Sequence, residues 1–175
     1  MTLLMSLFSS GDTILISSEE CGGHGSMPKI CHRLGINTIE IPYNYDIYDF
    51  DYEETNKLLK TQKIDGILIC LSDIITMPQL RKFDLPQECV LIFDATQILG
   101  LIATKSMENP LEWFTKKQKF ILMGATHKTL PGPTCGLIMT NNLELAHQFD
   151  TLINPDYLRN SQLHHIFSLI LALME

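Results

Sequence analysis

A lysine stands where a strand runs out. In ATHKTLPGPTCG, residues 125–136, Lys128 follows the apolar run FILMG and precedes a proline–glycine turn. Asp94 ends a second apolar run, VLIFD, 34 residues earlier. An amine held in a crevice and deprotonated forms a Schiff base with an aldehyde. A carboxylate set against a pyridinium nitrogen keeps that nitrogen protonated, and the ring then draws electrons from a substrate carbanion. Pyridoxal phosphate is the commonest aldehyde cofactor that needs both groups, so the pair points to that chemistry. A third polar signal, Ser72, follows the apolar run GILICL.

These groups need a scaffold that brings strand ends together. Six runs rich in apolar and β-branched residues recur: TILIS (13–17), TIEI (38–41), GILICL (66–71), VLIFD (90–94), KFILMG (119–124) and GLIMT (136–140). Several are continuously apolar, as strands covered on both faces are. Helical patterns lie between them. MPKICHRLG ends at the capping candidate Gly35, DYEETNKLLKTQ carries acids early and lysines late, and NNLELAHQFDTLI opens on asparagine caps. The alternation predicts a three-layer α/β/α domain with a mostly parallel sheet. Functional groups of such sheets gather at the carboxyl ends of the strands, and 34 residues is about one βαβ unit. Asp94 and Lys128 are therefore expected to face one crevice. PQLRKFDLPQE (78–88) reads as loop.

The bulk properties narrow the function classes. The chain has 175 residues, 45% hydrophobic and 19% charged, enough for one domain with a real core. The formal net charge of −7 argues against nucleic acid or an anionic membrane as partner. Five scattered cysteines without CxxC spacing argue against a zinc site or a disulfide framework, and for a reducing, cytoplasmic setting. No metal site is expected. The apolar start MTLLMSLF lacks a positive flank and reads as helix rather than signal peptide. LHHIFSLILALM is too short to span a bilayer and reads as a buried helix. Both ends fall in helix-like sequence, which suggests one part of a larger or split protein.

DATQILGLIA (94–103) followed by ATHKTLPGPTCGLIMT (125–140) closely resembles the serine hydroxymethyltransferase family, fold-type I pyridoxal-phosphate enzymes. That family carries an Asp-x-Ala-His string, then THKTL-x-GP-x-GG. CGGH (21–24) resembles its GGH and GDTIL (11–15) its GDTVL. The resemblance implies that residues 1–175 are a partial cofactor-binding large domain. The family's upstream phosphate-binding segment and its C-terminal small domain have no counterpart here. It implies an internal aldimine on Lys128, Asp94 at the pyridinium nitrogen, and His24 stacked on the ring. It places Ser72 near the phenolic oxygen, Gln97 close by, and Thr126 and His127 around the lysine, with His127 a candidate phosphate contact. The implied activity is serine/glycine hydroxymethyl transfer in one-carbon and amino-acid metabolism. An amino acid would be the substrate, tetrahydrofolate an optional second cofactor, and the assembly a homodimer or an association with a chain supplying the missing parts.

The departures leave alternatives open. Gln97 stands where the family has histidine, Gly124 and Ala125 replace part of a threonine run, and Thr134 and Cys135 alter GP-x-GG. Gly25 replaces an apolar residue associated with the folate pocket. These weaken folate-dependent transfer relative to a folate-independent aldolase, a transaldolase or an aminotransferase-like relative. A catalytically incomplete fragment or partner subunit is the third reading.

Overall fold

The computed structural model describes residues 1–74, 76–157 and 162–174. All six apolar runs become strands. β1 (Thr13–Ile16), β2 (Asn37–Glu40), β5 (Gly66–Cys70), β6 (Val90–Asp94), β7 (Phe120–Ala125) and β8 (Gly136–Met139) form one sheet, while β3 (Tyr43–Asn44) and β4 (Asp49–Phe50) make a separate hairpin. The order is β2-β1-β5-β6-β7-β8. The first five strands in that order are parallel, and β8 returns antiparallel to β7.

The continuous apolar runs follow from burial on both faces. Along β5 and β6 successive side chains enter opposite cores, as the two-residue period requires. Leu15, Ile67, Ile69, Leu91, Phe93 and Leu122 face one core. Ile14, Ile16, Leu68, Cys70, Ile92 and Ile121 face the other. The first core is covered by α3 (Tyr52–Thr61) through Leu59 and, at the start of α4 (Leu99–Ala103), by Ile98. The second is covered by α1 (Thr2–Leu7), α2 (Met27–Arg33) and α5 (Leu143–Leu152) through Leu3, Leu4, Cys31 and Leu145. The result is the expected α/β/α sandwich.

The helix signals hold locally. Asp51 caps α3 by accepting the Glu54 amide at 3.0 Å, and Asn142 caps α5 by accepting that of Leu145 at 3.0 Å. Gly35 follows α2 with a left-handed φ of 74°. One expectation fails. LHHIFSLILALM does form a helix, α6 (Leu163–Met174), but none of its residues is buried. Phe167 and Leu171 are exposed because α6 packs on too little of the described domain to hide its apolar surface. The loop-like stretch 78–88 holds only a short 3₁₀ turn, Leu80–Lys82.

Candidate functional site

Register places the site. Asp94 pairs with Cys70 on β5 and with Met123 on β7, so the carboxyl ends of three neighbouring parallel strands share one edge. Because β8 runs the other way, its first residue, Gly136, pairs with Ala125 at that same edge. Asp94, the turn after β7 and the segment before β8 are thereby gathered on one rim.

The Asp94 carboxylate is held on both oxygens. Its Oδ1 accepts the Thr96 amide at 2.9 Å and also the Thr96 hydroxyl; its Oδ2 accepts the Cys70 thiol, with Sγ at 3.2 Å. Thr96 reaches further. Its Oγ1 accepts the Ala125 amide at 2.9 Å, and its carbonyl accepts the Thr129 hydroxyl at 3.4 Å. The Thr129 oxygen in turn accepts the Gly100 amide at 3.1 Å. Gly100 permits this approach because a Cβ there would strike the Thr129 carbonyl.

Lys128 rides on a loop closed at its base. Thr126 is fully buried; its amide donates to the Cys135 carbonyl at 3.0 Å and its hydroxyl to the Pro133 carbonyl. The Gly132 amide closes onto the Thr126 carbonyl at 2.9 Å. His127 and Lys128 stand exposed beyond that closure. Thr126 therefore supports the loop and keeps its hydroxyl committed to backbone oxygens.

The CGGH segment is clipped to the end of β5. The His24 amide donates to the Cys70 carbonyl at 2.9 Å, and the Ser72 amide donates to the Gly22 carbonyl at 2.8 Å. Gly23 must be glycine, since a Cβ there would meet the carbonyls of Ser17 and Ser18. The exposed His24 ring has Nδ1 2.8 Å from the Ser26 hydroxyl. His24 and Ser72 thus lie at the β5 end, one strand over from Asp94. Gln97 lies half-buried in the turn between Asp94 and α4.

A cavity of about 500 Å³ opens at this edge, and its lining includes Asp94, Thr96, Gly124, His127, Thr134 and Cys135. That volume is in the range of small-molecule sites. Lys128, next in the chain to the lining residue His127, lies outside the lining, as do His24, Ser72, Gln97 and the buried Thr126. A second cavity, of about 320 Å³ beside the β3–β4 hairpin, is lined by Cys21 and Gly22 of the CGGH string but by none of the candidate site residues. Among the described residues no cluster suits a metal ion, and no helix is long and apolar enough to cross a membrane.

Three contributors escaped the sequence reading: Cys70, Thr96 and Thr129. Thr96 had a legible signal: an aspartate bonding the amide two residues on is a common turn, and the hydroxyl at that position adds a second donor. Cys70 had none, because its role depends on cross-strand register.

The mostly parallel sheet, covered on both faces, resembles in fold the large domain of fold-type I pyridoxal-phosphate enzymes. The fold matches the solved L-threonine transaldolase from Pseudomonas fluorescens with a TM-score of 0.87 at 21% identity, over 99% of this chain and 40% of that one. In sequence the chain is similar to serine hydroxymethyltransferases along its whole length. It is 29% identical to that of Archaeoglobus fulgidus over 180 residues, covering 100% of this chain and 40% of the relative. With that of Sulfolobus acidocaldarius it is 29% identical over 97% of this chain and 39% of the relative. It is also 28% identical to an alpha-methylserine aldolase from a Ralstonia species, over 86% of this chain and 34% of that protein. No family model matches. The chain spans about 40% of the length of the serine hydroxymethyltransferases it matches.

Proposed function

We propose that this chain is the pyridoxal-phosphate-binding part of an enzyme that transforms amino acids at the α-carbon, with Lys128 as the covalent anchor. The observation that carries this reading is the tie between Asp94 and the Lys128 loop through Thr96. A fixed carboxylate and an amine on a braced loop are what a pyridinium aldehyde needs at its two ends. The donor set fits the cofactor: Asp94 offers an anion for the ring nitrogen, and the cavity beside it has room for a small aromatic ring. When bound, the cofactor supplies an electron sink for the bond broken at the substrate's α-carbon.

The chain's own residues would divide the remaining work. Asp94 would orient the ring and keep its nitrogen protonated. His24, across the β5–β6 boundary, would cover one ring face, and Ser72 and Gln97 would supply hydrogen bonds at its edge. His127 would reach the phosphate side, and Thr126 would hold the loop so that the Lys128 amine has a fixed reach. The phosphate and the substrate carboxylate would find further partners outside residues 1–175, in the rest of a larger protein, a second copy or a companion chain.

Serine/glycine hydroxymethyl transfer is the first form of this activity, consistent with the relatives named above. A specific contact favours folate-independent aldolase or transaldolase chemistry as the second. The space a side chain at Gly25 would occupy is filled by the Glu19 carboxylate, so an acid stands where the resemblance implies an apolar contact for the folate. The test is a visible-absorbance titration of the chain with pyridoxal phosphate. A Lys128-dependent band supports the reading, and a spectrum unchanged by Lys128→Ala overturns it. Adding glycine with and without tetrahydrofolate then separates the two forms: a folate-dependent spectral change supports hydroxymethyl transfer.

A further inference from the structure

We propose that Cys70 is a positioning residue for Asp94, acting as a neutral hydrogen-bond donor that fixes the carboxylate toward the cofactor ring. The inference rests on the reading of Asp94 given above and extends it to a side chain that never touches the cofactor itself. Cys70 is buried and points into the same core as Ile92 and Ile121, on the sheet face that Asp94 shares by register. Its Sγ lies 3.2 Å from Asp94 Oδ2, while Thr96 occupies Oδ1 through both its amide and its hydroxyl. With donors on each oxygen, rotation of the carboxylate about its Cβ–Cγ bond breaks at least one contact.

The thiol is suited to donate and unsuited to react. Burial first, and then the negative charge of Asp94, push its pKa well above that of a free cysteine. It therefore keeps its proton at neutral pH and does not present Asp94 with a second anion. The backbone of Cys70 is held as well. Its amide donates to Ser17 Oγ at 3.2 Å, and its carbonyl accepts both the Ser17 hydroxyl at 3.3 Å and the His24 amide at 2.9 Å. One residue thus links the β1 end, the CGGH segment and the carboxylate.

Two measurements on the full chain decide the matter. The first uses the cofactor-free protein and the infrared S–H stretch of Cys70, assigned by its loss in Cys70→Ser. The expected band is lowered in frequency by hydrogen bonding and moves toward the free-thiol position in Asp94→Asn. A band already at the free-thiol position and indifferent to Asp94→Asn overturns the inference. The second is pyridoxal-phosphate affinity. Cys70→Ala should weaken it about tenfold, the scale of one hydrogen bond to a charged group, and Cys70→Ser should restore it. Equal affinity in wild type, Cys70→Ala and Cys70→Ser also overturns it. If wild type binds no cofactor, the functional reading fails, and the infrared result still decides whether Cys70 holds Asp94.

Discussion

Thr129, the residue after Lys128, donates its hydroxyl to the carbonyl of Thr96 at 3.4 Å, two residues beyond Asp94. That bond ties the lysine loop to the acid turn across the β6–β7 boundary. It turns a sequence separation of 34 residues into a local relationship, and the functional proposal depends on it.

The first prediction concerns the room this approach needs. A methyl group at Gly100 would collide with the Thr129 carbonyl, so either α4 or the lysine loop must shift. Gly100→Ala should destabilise the chain by about 1–3 kcal/mol, the usual cost of overpacking. Urea unfolding measures the loss. The same variant should weaken pyridoxal-phosphate binding more than Gly136→Ala does, because a Cβ at Gly136 meets nothing.

The fold was largely legible because the strands are buried on both faces and therefore read as unbroken apolar runs. Caps at Asp51 and Asn142 and the stop at Gly35 were equally local signals. The burial of α6 was not legible. LHHIFSLILALM has the composition of a core helix, yet composition says only that a surface wants cover, not that these residues provide it. The strand pattern was enough to put Asp94 at the end of β6 and Lys128 just past the end of β7. Cys70 could not, since only the pairing of β5 with β6 puts its sulfur beside the carboxylate.

Thiol chemistry gives a second prediction. Cys135 is partly exposed and lines the cavity, whereas Cys21, Cys31, Cys70 and Cys89 are buried. Burial also pushes the thiols of Cys31, Cys70 and Cys89 upward, Cys89 to about 12, which suppresses their reactive thiolate forms. A thiol reagent should therefore modify Cys135 first, and pyridoxal phosphate should slow that reaction. Mass-resolved labelling of the native chain checks both outcomes.

Acid stability supplies a third. Burial tends to raise the Asp65 carboxyl pKa, but the Thr13 amide at 2.9 Å and the Lys63 ammonium at 2.9 Å outweigh it, and the net shift is downward. A carboxyl lowered on folding contributes stability that is present above its unfolded pKa and is lost as pH falls through the folded value. Wild type should exceed Asp65→Asn in stability at neutral pH, and the gap should close below about pH 4. Because Lys63 is exposed, added salt should shrink its share of the gap and leave the share of the Thr13 contact. Denaturant midpoints from neutral to acid pH, at low and high salt, measure both effects.

The most direct test of the central claim is chemical trapping. The chain is mixed with pyridoxal phosphate, reduced with borohydride, digested, and mapped by mass spectrometry. A phosphopyridoxyl label on Lys128, formed at low cofactor excess and lost in Asp94→Ala, is the expected result. Labelling spread over the surface lysines with Lys128 unmodified would contradict it.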